Sequence, residues 1–132
     1  MEDVLKALAD ESRLRLFHLL SKGEFCVCEI EVLLNMSQSN ASRHLSKLRS
    51  NGIIASEKDG LWVHYRISEH FKSKYIGLMA DVLRELAQGA IYLDDAARLE
   101  KYRAHGLNCQ VITSNRDYVI ETINLKKFDE ID

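Results

Sequence analysis

Three observations predict a mainly α-helical chain with one small β-hairpin. Proline is absent from all 132 residues, so only glycine and cap chemistry can break a helix. Apolar residues recur at helical spacing as far as Leu48. After Asn51–Gly52 the period changes: Ile53 and Ile54 begin a strand and Asp59–Gly60 is a two-residue hairpin signal. Leu61, Val63, Tyr65 and Ile67 then alternate with Trp62, His64 and Arg66, giving a two-stranded wing.

The helices are placed by their caps. A first helix covers Val4 to Ala9, and a second starts near Asp10 or Ser12 and is closed by Gly23. A third begins at or just after Phe25 and Cys26, carries Val27, Ile30, Leu33 and Leu34, and ends near Asn35. Ser37 N-caps a fourth, with Ala41, Leu45 and Leu48 on its buried face. After the hairpin, one helix from Phe71 to Ala87 carries two apolar stripes: Phe71, Tyr75, Leu78, Val82 and Leu86, then Ile76, Met79 and Leu83. The second stripe fits either a partner subunit or a well-buried helix. Gly89 and Gly106 bracket a further helix, and Leu107 to Asp132 shows no clean period.

Two helices joined by a short turn, the second basic, followed by a hairpin, make the pattern of a winged helix-turn-helix with C-terminal dimerisation helices. The chain divides into residues 1–89, a DNA-binding and dimerisation domain, and residues 90–132, a helical extension and tail.

Charge distribution supports this more than net charge does. The chain sums to -2, yet Met36 to Ser56 has no Asp or Glu and carries Arg43, Lys47 and Arg49, so it is +3 and the remainder -5. No apolar run approaches a membrane span, and the first residues carry Glu2, Asp3, Asp10 and Glu11 in place of a basic-then-apolar signal. A cytoplasmic protein without a membrane partner is expected. Three cysteines in a reducing compartment read as ligands, redox groups or core filler.

In the fourth helix Gln38, Ser39, Asn40 and Arg43 are placed to face base edges or phosphates, with Ser42, His44 and Lys47 as further candidates. Lys58 at the wing tip and Arg66 can follow a phosphate backbone. The residue types alone fit a polar helix start equally well. Cys26 and Cys28 lie where free N–H groups and the helix dipole favour a thiolate. Residues two apart in a regular helix point to nearly opposite sides, so a shared ion is expected to distort that first turn. Small apolar filler is the alternative for this pair.

The run Leu5-Lys6-Ala7-Leu8-Ala9-Asp10-Glu11-Ser12-Arg13-Leu14-Arg15-Leu16, with Phe25-Cys26-Val27-Cys28-Glu29-Ile30, Ser37-Gln38-Ser39-Asn40-Ala41-Ser42-Arg43-His44-Leu45 and Gly60-Leu61-Trp62-Val63-His64-Tyr65-Arg66-Ile67, resembles the ArsR/SmtB family over roughly the first two-thirds of the chain. The resemblance implies a homodimeric repressor that binds double-stranded, palindromic operator DNA when ligand-free and releases it on binding a metal ion or metalloid. No obligatory cofactor is implied. Cys26-x-Cys28 is similar to the pair in arsenic-responsive and cadmium- or lead-responsive members, so As(III), Sb(III) or another thiophilic ion is the implied inducer. Some arsenic-responsive members carry a third cysteine where this chain has Glu31, which leaves Cys109 as the candidate third ligand. Zinc-responsive members use Asp, His and Glu on the C-terminal helix; here that helix has Asp81 and Glu85 but no His, and His105 lies outside it.

Three other functions compete. A disulfide among Cys26, Cys28 and Cys109 would make a redox-responsive repressor. A thiol oxidoreductase is disfavoured because such a pair normally follows a strand in a mixed sheet, and no Ser-His-Asp set, Gly-rich phosphate loop or His-Glu-x-x-His helix is present, so the chain is not expected to be an enzyme. A winged helix used only to bind protein is disfavoured by the acid-free stretch.

Overall fold

Short polar side chains open most of the helices. Asp10 accepts from the Arg13 N–H at 3.0 Å and starts α2 (Glu11–Leu20), directly after α1 (Glu2–Leu8). Ser37 accepts from the Asn40 N–H at 3.2 Å and starts α4 (Gln38–Ser50). Between α4 and the preceding α3 (Val27–Leu34) the chain turns at Asn35, which adopts φ 54 and is the one non-glycine residue with positive φ among the described residues. The computed structural model describes residues 1–125.

A three-stranded antiparallel sheet joins these helices, in the order β1 (Phe25–Cys26), β3 (Trp62–Ile67), β2 (Ile54–Asp59). The expected two-stranded wing is therefore enlarged, since Phe25 and Cys26 pair with Tyr65 and His64. Two residues are too few to display alternation. Asp59 pairs with Trp62, so Gly60 and Leu61 form the turn, one residue later than expected, with Gly60 supplying the positive φ of 62. α2 ends at Leu20 with Ser21 as its C-cap, and Gly23 lies beyond that cap.

The core is built from Leu16 and Phe17 of α2, Ile30, Leu33 and Leu34 of α3, Leu45 and Leu48 of α4, and Ile53 and Ile67 flanking the wing. Phe71, on α5 (Glu69–Lys74), closes it edge-on to Phe17 with ring centroids 5.7 Å apart. The single helix expected from Phe71 to Ala87 is broken at Tyr75 (φ -118, ψ 39) into α5 and α6 (Ile76–Leu86). This separates the buried Phe71 from a helix with no buried residue: Leu78, Met79, Val82 and Leu83 are half-buried and Ile76 is exposed.

α7 (Ala90–Ala104) lies between Gly89 and Gly106, as the glycines indicate, and packs on α2 and α3. Its buried Asp95 carboxylate accepts from Arg15 at 2.9 and 2.8 Å and from Arg98 at 2.6 Å. The same guanidinium groups donate to the Leu34 and Leu33 carbonyls at 2.7 and 2.8 Å, satisfying the C-terminal end of α3. The stretch after Leu107 contains α8 (Cys109–Ser114) and α9 (Arg116–Ile123), capped by Asn108 and Asn115. Ile112, Val119 and Ile123 are buried in the same core as α3, so the extension and the winged helix share it. The unassigned tail from residue 126 onward lies outside the described residues.

Candidate functional site

The N-terminal half of α4 presents a polar face to solvent. Gln38, Ser39, Asn40, Ser42, Arg43 and Lys47 are all exposed, and Arg43 donates to Asn40 Oδ1 at 3.0 Å, presetting a donor–acceptor pair on the surface. Lys58 is exposed on β2 near the wing turn; Arg66 is half-buried on β3 and donates to Glu57 at 3.4 Å. His44 departs from the group. It is 7% exposed, with Nδ1 3.1 Å from the Arg13 guanidinium, and burial holds it below the ordinary imidazole pKa. It therefore faces inward, beside Arg13. The signal was present, since position 44 lies three residues after Ala41 and four before Leu48, on the buried face. Arg13 in turn donates to the Ala7 carbonyl at 2.5 Å, tying α1 to α4 through this inward pair.

Three elements bring the cysteines together. Cys26 ends β1 and serves as the N-cap of α3 with extended backbone (φ -85, ψ 165), Cys28 sits in the first turn of α3, and Cys109 begins α8. Because Cys26 stands outside the helix, the argument that residues two apart diverge does not apply. The Cys26 and Cys28 sulfurs are 3.0 Å apart, and no unwinding of α3 is needed for both to meet one ion. Cys109 Sγ joins them, so all three sulfurs lie within 4.8 Å of one another, and Cys26 and Cys109 are paired as a disulfide with Cα atoms 7.5 Å apart. Among the described residues this is the one group of three or more side chains placed to hold a metal ion. Burial and the neighbouring Glu29 carboxylate push the Cys28 thiol pKa up, opposing the effect expected of the helix start.

The other candidates lie elsewhere. Glu31 reaches Arg116 of α9 at 3.5 Å. Asp81 is exposed and paired with Arg84, and Glu85 is exposed. His105 Nδ1 is 2.9 Å from the Lys101 carbonyl on the surface.

Two residues not singled out from the sequence surround the sulfurs. Glu29 Oε1 accepts from the Cys26 N–H at 3.0 Å, and Glu29 Oε2 accepts from the buried Tyr102 hydroxyl at 2.6 Å. Burial and this carboxylate raise the Tyr102 pKa. The spacing Cys26-x-x-Glu29 is that of a cap and the residue reaching back to it, a legible signal for Glu29. Nothing local points to Tyr102.

A small core crossed by a helix-turn-helix and edged by a wing, with a polar exposed second helix, is the fold of a winged helix-turn-helix transcriptional regulator. Residues 10–56 match the model for bacterial regulatory proteins of the arsR family. The chain is 41% identical over 99 residues to the arsenic resistance transcriptional regulator ArsR2 of Pseudomonas putida, covering 74% of this chain and 84% of that protein. It is 39% identical over 71 residues to a cadmium resistance transcriptional regulatory protein CadC homolog of Staphylococcus aureus, spanning 52% of this chain and 59% of that protein. Among solved structures it is similar to a homodimeric winged helix-turn-helix DNA-binding domain from Mycobacterium bovis, a possible ArsR-family regulator (TM-score 0.56, 31% identity, 67% of this chain and 83% of that one). The chain belongs to the ArsR family, whose members are transcriptional regulators and not enzymes. No helix among the described residues is long and apolar enough to cross a membrane.

Proposed function

We propose that this chain is a metal(loid)-responsive repressor that binds double-stranded operator DNA as a homodimer and releases it when As(III), Sb(III) or another thiophilic ion is taken up by Cys26, Cys28 and Cys109. The observation that carries this reading is the convergence of three sulfurs within 4.8 Å at the N-terminal end of α3, which packs directly against α4. Trivalent arsenic takes three sulfur ligands, and a Cα separation of 7.5 Å exceeds the roughly 4.4–6.8 Å that disulfides ordinarily span, which suits sulfurs gathered around a shared centre. The half-buried apolar residues of α6, with Ile76 exposed beside them, supply a face for the second subunit, in line with the homodimeric relative. A reducing cytoplasm keeps the thiols available.

Gln38, Ser39, Asn40, Ser42, Arg43 and Lys47 read or anchor the operator, with Lys58 and Arg66 on its backbone. Coupling between site and DNA is expected at about 1–3 kcal/mol, or roughly 5–150-fold in operator affinity. A gel shift on the DNA upstream of the chain's own gene tests this. Arsenite should release wild type and leave Cys109→Ser bound; equal release of both removes Cys109 from the site.

The Cys26–Cys109 pairing favours one second reading, a redox-responsive repressor in which a peroxide oxidises the two thiols to the disulfide and is reduced to water. Peroxide-driven release without a metal-dependent thiolate absorbance would select it. A Cd(II) or Pb(II) sensor is the remaining alternative, to which the cadmium-resistance relative lends support.

A further inference from the structure

We propose that Glu29 makes the cysteine cluster selective, favouring trivalent hydroxides such as As(OH)3 or Sb(OH)3 over divalent cations such as Cd(II) or Pb(II), by fixing a negative charge against the sulfurs. The inference rests on the three-cysteine reading in its reduced form. As(OH)3 and three thiols give As(SR)3 and three waters, a neutral product. Cd(II) and three thiols give a Cd(SR)3 complex of charge -1 and three protons. The first product is indifferent to a neighbouring carboxylate; the second is repelled by it.

Glu29 is placed to enforce that difference. Its Oε1 lies 3.4 Å from Cys26 Sγ. Its partners, the Cys26 N–H and the Tyr102 hydroxyl, are neutral donors, and it forms no ion pair among the described residues. Glu31, one helical turn from Cys28, is by contrast neutralised by Arg116. Both Glu29 oxygens are engaged, so turning to ligate an ion would sacrifice the cap of α3 and leave the buried Tyr102 hydroxyl unpaired. The carboxylate therefore acts as a fixed neighbouring charge and not as a fourth ligand.

The test titrates reduced full-length wild type, Glu29→Gln and Tyr102→Phe with arsenite and with cadmium chloride, following thiolate absorbance. Glutamine removes the charge while its Oε1 still accepts from the Cys26 N–H and its amide N–H donates to the Tyr102 hydroxyl oxygen, reversing that bond. In Glu29→Gln, Cd(II) affinity should rise about tenfold or more while arsenite affinity stays at the wild-type value. Tyr102→Phe retains the charge and should keep the wild-type ratio. Glu29→Asn, shorter and neutral, serves the same comparison if glutamine disturbs the fold. An unchanged ratio in the neutral variant overturns the inference, as does weaker Cd(II) binding, which would make Glu29 a ligand, or an equal shift in Tyr102→Phe, which would assign the effect to packing. If wild type takes up neither ion through its three thiols, the three-cysteine reading falls and this inference with it.

Discussion

The exposed polar face of α4 and the cysteine cluster are built in opposite ways. The first is contiguous in sequence, exposed, and held by the cap and helix that carry it. The second is gathered from β1, α3 and α8, with Cys26 and Cys109 separated by 83 residues, and depends on the packing of α7 to α9 against α3. A local surface can change side chain by side chain without cost to the fold, whereas an assembled site inherits the stability of everything that positions it.

Asp95→Ala should break the comparison by removing the frame both regions share. Deleting the carboxylate between Arg15 and Arg98 leaves two largely buried guanidinium groups uncompensated, a loss of about 3–5 kcal/mol readable by urea unfolding. DNA binding and arsenite uptake should then fail together. Arg43→Ala should separate them: operator affinity falls by about 1–3 kcal/mol in a gel shift, with arsenite uptake unchanged. Lys58→Ala acts more weakly still, reducing affinity evenly across DNA sequences and lowering the salt slope by about 1.

The smallest effect concerns the frame again. His18 is buried against the Tyr92 ring, its Nδ1 without a hydrogen bond, and burial lowers its pKa below the usual 6.5. A lowered histidine pKa means the unfolded chain binds more protons, so its contribution is complete above the unfolded value and is lost as pH falls from there toward the folded one. Urea midpoints at about pH 7.5 and about pH 5.5 should differ more for wild type than for His18→Phe.

Much of the exposed face of α4 was legible because its determinants are neighbours. Ser37 as cap, the exposed run after it and a glycine at the wing turn follow from adjacent residues. The inward turn of His44 was equally legible from spacing, since it shares a face with Ala41 and Leu48. β1 was not legible, because a two-residue strand takes its identity from its partner β3. Cys109 was legible as a leftover cysteine, but its arrival beside Cys26 depends on two short helices that have no room to display a period. Tyr102 was invisible for a different reason: its partner Glu29 is 73 residues away.

One feature of the frame bears on how a signal crosses it. α7 grips α3 at both ends, through Tyr102 to Glu29 at the sulfur end and through Arg98 to the Leu33 carbonyl at the other, where Asp95 also holds Arg15 of α2 on the Leu34 carbonyl. A rod clipped twice to the same neighbour cannot dissipate a pull by fraying. A pull at Cys26 is then expected to emerge at Asn35 as a tilt of the whole helix, since the left-handed turn there is the joint between α3 and α4.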